Sequence, residues 1–144
     1  KDDTIVLITM DVGFSFIEKF KDKFPKRYFN FGVTEQSSVL IATALALDGW
    51  KPYLYSMINF VVFRPYEMVR NGICYHNANV KLIGVQGSEK YRFLGFSHNI
   101  VGNEDVKILE DLPNMTIYLP ETEGNVRYAM LDAYGKTSPC YTRI

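Results

Sequence analysis

Apolar residues along this chain gather in short runs separated by amphipathic or polar stretches. "TIVLITM" (4–10), "RYFNF" (27–31), "KPYLYS" (51–56), "NVKLIGVQG" (79–87), "MTIYLP" (115–120) and "PCYTRI" (139–144) have the length and the β-branched or aromatic content of strands. Helical spacing fills the gaps. "DVGFSFIEKFKDKFP" (11–25) sets Phe16, Phe20 and Phe24 four apart on one predicted face, with Pro25 as a stop. Thr34 is placed to cap a helix running to about Asp48, and Gly49 supplies its break. Further helices are predicted over roughly 59–76, over "EDVKILEDL" with Asn103 as its cap, and over 121–135, ending at Gly135. Residues 88–102 read as a loop.

Strands and helices therefore alternate, and the strands are continuously apolar. That combination predicts an α/β fold, a three-layer α-β-α sandwich on a mainly parallel sheet of five or six strands. No internal repeat or linker-like composition divides the chain, so one domain is expected over 1–144. In such sheets ligands bind at the carboxyl ends of strands, where loops lead into helices. Glu35, Phe60, Ser97 and His98 all fall in or just after such junctions.

Composition narrows the function classes. Sixteen basic and sixteen acidic residues cancel, which leaves no electrostatic footprint for nucleic acid or an anionic membrane. The uncharged runs fall short of the ~18–20 residues needed to span a bilayer. Cys74 and Cys140 match no zinc or redox spacing, and the expectation is two reduced thiols in a cytoplasmic protein. The chain opens without a Met or a signal-peptide pattern, which suggests a trimmed or excised piece of a longer chain. Aromatic residues make up 15% of the chain, high enough that some are expected to face a partner or ligand.

Glu35 poses the central question. It stands just after Gly32-Val33-Thr34 and opens the uncharged run Ser37–Leu47. Helix capping alone explains an acid there, since the helix dipole favours it by ~0.3–1 kcal/mol. A partly desolvated carboxylate is also suited to sharing a proton with a ligand. Composition and position leave both readings open.

"FGVTEQ", "ALALDGWKPYLYS", "FRPYEMVRNGICYHNANVKLIGVQG", "GFSH…ED" and "LPNMTIYLPET" occur in that order. Together they resemble the pyrimidine-binding domain of transketolase-like thiamine diphosphate enzymes, nearly end to end from "DVG" at 11–13 to "SPCYTRI" at 138–144. The Glu35-Gln36 pair looks closer to split transketolases and deoxyxylulose-phosphate synthases than to full-length transketolases. The resemblance implies that Glu35 hydrogen-bonds N1′ of the cofactor's aminopyrimidine, so that the 4′-nitrogen takes the proton from C2. It implies that Phe60, and with it Phe63, lies against that ring, although both also suit a core. It implies that His98 exchanges a proton with a substrate oxygen, and that Arg143 binds a substrate phosphate, although a solvent-facing Arg suits that place equally. Arg64 and Arg70 are expected to be structural or interface residues, and His76 structural.

The chain also departs from the family. Ketose-phosphate transketolases carry Asp four residues before the His, where this chain has Leu94, and Met57-Ile58 stands where Thr-Phe is common. The usual sugar-phosphate substrate is thereby in question. No Gly-Asp-Gly motif is present, so Mg²⁺ and the diphosphate are expected on a partner domain or subunit, with no metal held by this chain. The expected enzyme transfers a two-carbon ketol unit between sugar-like or ketose substrates, as a homodimer or heterotetramer. The aromatic-rich segment 53–66 is expected at a subunit interface. Three readings stay open: this transketolase half, a 2-oxoacid dehydrogenase β-type or deoxyxylulose-phosphate synthase-like carboligase component, and a Rossmann-like assembly module without activity.

Overall fold

A computed structural model describes residues 2–13, 15–87 and 89–144. Lys1, Phe14 and Ser88, which fall at the start of the predicted domain and within the predicted first helix and 88–102 loop, lie outside the described residues. Each of the six apolar runs forms a strand: β1 (Ile5–Thr9), β2 (Tyr28–Asn30), β3 (Lys51–Met57), β4 (Lys81–Val85), β5 (Thr116–Tyr118) and β6 (Cys140–Arg143). They make one sheet in the order β2-β1-β3-β4-β6-β5, and every pairing is parallel. Leu7 stands opposite both Tyr28 and Tyr53, and Leu54 opposite Leu82. The helices are α1 (Glu18–Lys23), α2 (Glu35–Leu47), α3 (Tyr66–Met68), α4 (Glu104–Leu109) and α5 (Glu123–Gly135).

The strand order reverses direction between β1 and β3. Because parallel crossovers are right-handed, that reversal puts α1 and α2 on opposite faces; α3 and α4 share the face of α2, and the step back from β5 to β6 puts α5 with α1. The first face holds the main core, where Val39 and Ala42 of α2 meet Leu54, Ile58, Val61, Val69, Leu82 and Leu109. The second is thinly covered: α1 buries no residue and α5 buries only Ala129 and Ala133. Tyr53 and Tyr55 of β3 are accordingly half-buried rather than sealed. The α/β architecture and parallel sheet agree with the strand pattern, and at six strands the sheet is at the upper end of the expected size.

Several helices differ from the periodicity. The predicted first helix begins only at Glu18, because Asp11, Gly13 and Ser15 adopt positive φ of 55°, 96° and 67°. Phe16 consequently leaves the Phe20–Phe24 line and stacks on Tyr55 at 5.1 Å between ring centroids. The predicted 59–76 helix is wound wide at both ends, with π-helical turns over Asn59–Phe63 and Val69–Cys74 on either side of α3. The segment Glu89–Ser97, read as loop, forms 3₁₀ turns kinked at Gly95. Thr34 and Asn103 occupy the N-cap positions of α2 and α4 without a capping side-chain hydrogen bond. Thr122 does cap α5, accepting from the Asn125 N–H.

At the C-terminus of α2 the chain forms a Schellman turn. The Trp50 N–H reaches the Leu45 carbonyl and the Gly49 N–H reaches that of Ala46, with Gly49 at φ 92°. The helix is buried on one face only. Leu40, Ile41 and Leu47 are exposed, whereas the 53–66 segment expected at an interface buries Phe60, Val61 and Val62 within this chain. Cys74 and Cys140 are free and buried, and burial pushes the Cys74 thiol up to about 11. No helix among the described residues is long and apolar enough to cross a membrane.

Candidate functional site

A cleft of about 520 Å³ opens at the carboxyl ends of β1, β3 and β4, beside the point where the strand order reverses. Its size is that of small-ligand pockets, ~300–1,000 Å³. Glu35, Phe60 and His98 all line it. Three residues distant in sequence are thus brought to one site by three different connections: the turn from β2 into α2, the turn after β3, and the 3₁₀ segment after β4.

Glu35 is only 8% exposed, at the first turn of α2. A buried carboxylate needs a partner, and Arg64 provides it: Nη1 donates to Glu35 Oε1 at 2.7 Å. Oε2 has no side-chain partner among the described residues. The Arg64 guanidinium also lies over the Phe60 ring, its Cζ 4.2 Å from the centroid. His98 meets the same ring at 4.9 Å and 82°, in an edge contact. Arg64, expected to be structural or at an interface, therefore belongs to the cleft wall.

The wide turn after β3 explains this. The Arg64 N–H bonds to the Asn59 carbonyl five residues back, at 3.0 Å. In such a turn residues i and i+4 superpose more closely than i and i+3. Phe60 and Arg64 stack accordingly, while Phe63 turns away from the cleft and packs against the hydrophobic core. The paired role expected of Phe60 and Phe63 is divided: one lines the cleft and the other does not.

His98 is held by its own loop. Ser97 Oγ lies 2.7 Å from Nδ1, leaving Nε2 as the free ring nitrogen among the described contacts. Asn59 Nδ2 donates to the Phe96 carbonyl at 3.0 Å, and Asn99 Nδ2 to those of Tyr91 and Gly95 at 2.9 and 2.7 Å. Gly87, two residues past β4, permits this docking: a Cβ there would meet Asn99 Oδ1 at 2.1 Å and the His98 carbonyl at 2.4 Å. Leu94 reaches the cleft with Tyr91, so its wall near His98 is largely aliphatic and aromatic.

Arg143 is placed elsewhere. Its Nη1 donates to Asp105 Oδ1 at 3.1 Å and its Nη2 to Asn103 Oδ1 at 3.0 Å, and it does not line the cleft. Asp105 is fully buried and also accepts from the Tyr141 hydroxyl at 2.6 Å. Burial and this hydrogen bond push the Tyr141 phenol far above its ordinary value. His76 Nδ1 lies 2.8 Å from the Asn71 carbonyl, outside the cleft. Among the described residues no cluster of His, Cys, Asp or Glu is placed to hold a metal ion.

Chemically, the cleft combines a buried carboxylate with one oxygen free, a flat apolar ring and an imidazole. That set fits a flat heterocycle that donates a hydrogen bond to Glu35. Sequence reasoning missed Arg64, Asn59 and Asn99; the demand of a buried Glu for a cation was the one available signal for Arg64.

The family model "Transketolase, pyrimidine binding domain" matches residues 1–144. The chain is 37% identical over 136 residues to a 1-deoxy-D-xylulose-5-phosphate synthase of Listeria monocytogenes, covering 93% of this chain and 22% of that protein. It is 30% identical over 145 residues to a 6-deoxy-6-sulfo-D-fructose transketolase subunit of a Clostridium species, covering 100% of this chain and 44% of that one. A solved split-gene transketolase, described as an inactive β4 tetramer, superposes with a TM-score of 0.84 at 30% identity, covering 99% of this chain and 45% of that one. The chain spans less than half the length of each of these relatives. With its six-stranded parallel sheet, its cleft and a family match along its whole length, the chain belongs to the transketolase pyrimidine-binding domain family.

Proposed function

We propose that this chain is the pyrimidine-binding half of a thiamine diphosphate-dependent transketolase-type enzyme that transfers a two-carbon ketol unit between sugar-like substrates. The observation that carries this reading is the convergence of Glu35, Phe60 and His98 on one cleft at the strand carboxyl ends. Thiamine diphosphate, when bound, supplies the carbon nucleophile that carries the ketol unit. Glu35 holds a proton at N1′ of its aminopyrimidine, and Phe60 offers the ring against which that heterocycle lies. His98, with Nδ1 engaged by Ser97, moves a proton to or from a substrate oxygen through Nε2. Mg²⁺ and the diphosphate belong to a partner domain or subunit, and the working enzyme is a homodimer or heterotetramer in the cytoplasm.

Arg143 has no part in this scheme while Asp105 and Asn103 occupy its guanidinium. Leu94 presents an aliphatic wall beside His98, which favours a substrate without a hydroxyl needing a carboxylate there. A second reading, a deoxyxylulose-phosphate synthase-like carboligase component, is favoured by the 37% identity to such a synthase. The test combines the chain with its candidate partner, thiamine diphosphate and Mg²⁺, offering a ketose donor or a 2-oxoacid. A ketol-transfer product supports the first reading and a decarboxylation product the second. Neither product from a complex that binds the cofactor would sink both.

A further inference from the structure

Two contacts of Arg64 coincide with those that the proposed function gives to the aminopyrimidine. Its guanidinium is planar, donates a hydrogen bond to Glu35 Oε1 at 2.7 Å and lies 4.2 Å over the Phe60 ring. A protonated aminopyrimidine is also a flat donor that needs Glu35 and the face of Phe60. With Arg64 over the ring and His98 at 4.9 Å in its edge contact, Phe60 is buried and no planar ligand reaches its covered face. Arg64 has room to move: its side chain is 48% exposed, and it borders a second hollow of about 400 Å³ lined also by Thr34, Glu35, Gln36 and Ser37.

We propose that Arg64 is a placeholder for the cofactor's aminopyrimidine, paired with Glu35 and stacked on Phe60 until the heterocycle displaces it into the neighbouring hollow. The inference rests on the pyrimidine-binding reading of the cleft. Its physical basis is the cost of leaving a buried carboxylate alone. Arg64 supplies the charge partner in the free chain and keeps Phe60 from open solvent. Binding then exchanges one planar donor for another, and the affinity is lowered by the fraction of chains in which the place is already taken. This makes Arg64 a specificity filter as well, because a ligand must replace both the hydrogen bond and the stack to compete.

The test uses the free hydroxymethyl-aminopyrimidine, the cofactor's ring without its thiazolium or diphosphate, titrated into the chain and followed by NMR of the backbone and arginine side chains. Wild type, Arg64→Ala and Glu35→Gln are compared. Arg64→Ala is expected to bind the ring about tenfold more tightly, the gain from freeing a place that is about nine-tenths occupied. In the wild type the Arg64 guanidinium signal should move toward that of a solvated arginine as the ring saturates. Glu35→Gln should lose most of the binding. Equal affinities of wild type and Arg64→Ala, or an Arg64 signal unmoved at saturation, would overturn the placeholder while leaving the pyrimidine site intact. Should Arg64→Ala fail to fold, the guanidinium signal of the wild type decides alone. No binding by any folded chain, either alone or with the partner subunit present, overturns the pyrimidine reading and the placeholder with it.

Discussion

Two carboxylates stand in the first turns of their helices, and each is paired with an arginine. Asp105 of α4 is fully buried, accepts from Tyr141 as well as Arg143, and its arginine is itself only 16% exposed. Glu35 of α2 is 8% exposed, has one side-chain partner among the described residues, and that partner is half in solvent and borders the cleft. The helix dipole favours both acids alike. The difference is saturation. Asp105 has its lone pairs engaged and its cation enclosed, so it holds β6 to α4 and has nothing to offer a ligand. Glu35 keeps one oxygen and a displaceable cation, which is what a ligand that shares a proton requires.

Removing each acid in turn separates the two pairs most sharply. Glu35→Gln is expected to slow exchange of the cofactor's C2 proton by roughly 10²–10⁴-fold, ~3–5 kcal/mol of barrier, when the partner domain is present. Stability should change by at most about 1 kcal/mol, because Arg64 stays hydrated and the amide still accepts its hydrogen bond. Equal exchange in the two proteins would reduce Glu35 to a helix-dipole residue. Asp105→Ala should do the reverse. It leaves an enclosed guanidinium and a buried phenol without their acceptor, and urea unfolding should register a loss of about 3–5 kcal/mol. Ring binding by whatever fraction stays folded should match the wild type.

A smaller effect separates the two partners of Asp105. Tyr141→Phe removes one hydrogen bond to a charged group and should cost about 1.5–3 kcal/mol below pH 10. The folded phenol titrates far above its ordinary value of 10.0, through burial first and the Asp105 hydrogen bond second. A raised folded-state value means that this stabilisation is complete below pH 10 and is lost as pH climbs above it, where the unfolded phenol ionises first. Urea titrations from pH 8 to about 11 should therefore show a shallower alkaline decline in Tyr141→Phe. An unchanged slope would mean that Tyr141 is not part of that decline.

The smallest expected effect concerns how the helices begin. Thr122→Ala should lower stability by about 1 kcal/mol, since its hydroxyl caps α5 through the Asn125 N–H. Thr34→Ala, at the entry to α2, should cost less. Its hydroxyl donates to the Phe31 carbonyl and makes no cap, so the α2 entry leans on Glu35 instead. A larger loss at Thr34 than at Thr122, measured by thermal melting, would contradict this ranking.

Much of the fold and part of the site are legible in the sequence. The strand runs were readable because a sheet covered on both faces needs continuous apolar segments, and local composition carries that signal. Gly49 marked the end of α2 because its positive φ is a local demand. Glu35, Phe60 and His98 were legible as a set because parallel strands send the loops that follow them to the same edge of the sheet. Phe63 and Arg143 were not separable from them, since a π-wound turn and a buried ion pair leave no periodic trace. The first helix was overextended for a similar reason: nothing in its Phe spacing reveals the positive φ of Asp11 and Ser15.

Order of elements, parallel pairing and the edge of the sheet that carries the cleft follow from short-range chemistry: apolar runs, turn residues and the handedness of crossovers. Which acid is enclosed by its partners and which borders the cleft was decided only in three dimensions. Glu35 and Arg64 are 29 positions apart and Asp105 and Arg143 are 38 apart. Burial and the number of hydrogen-bond partners are properties of the packed neighbourhood, and those long-range meetings set them.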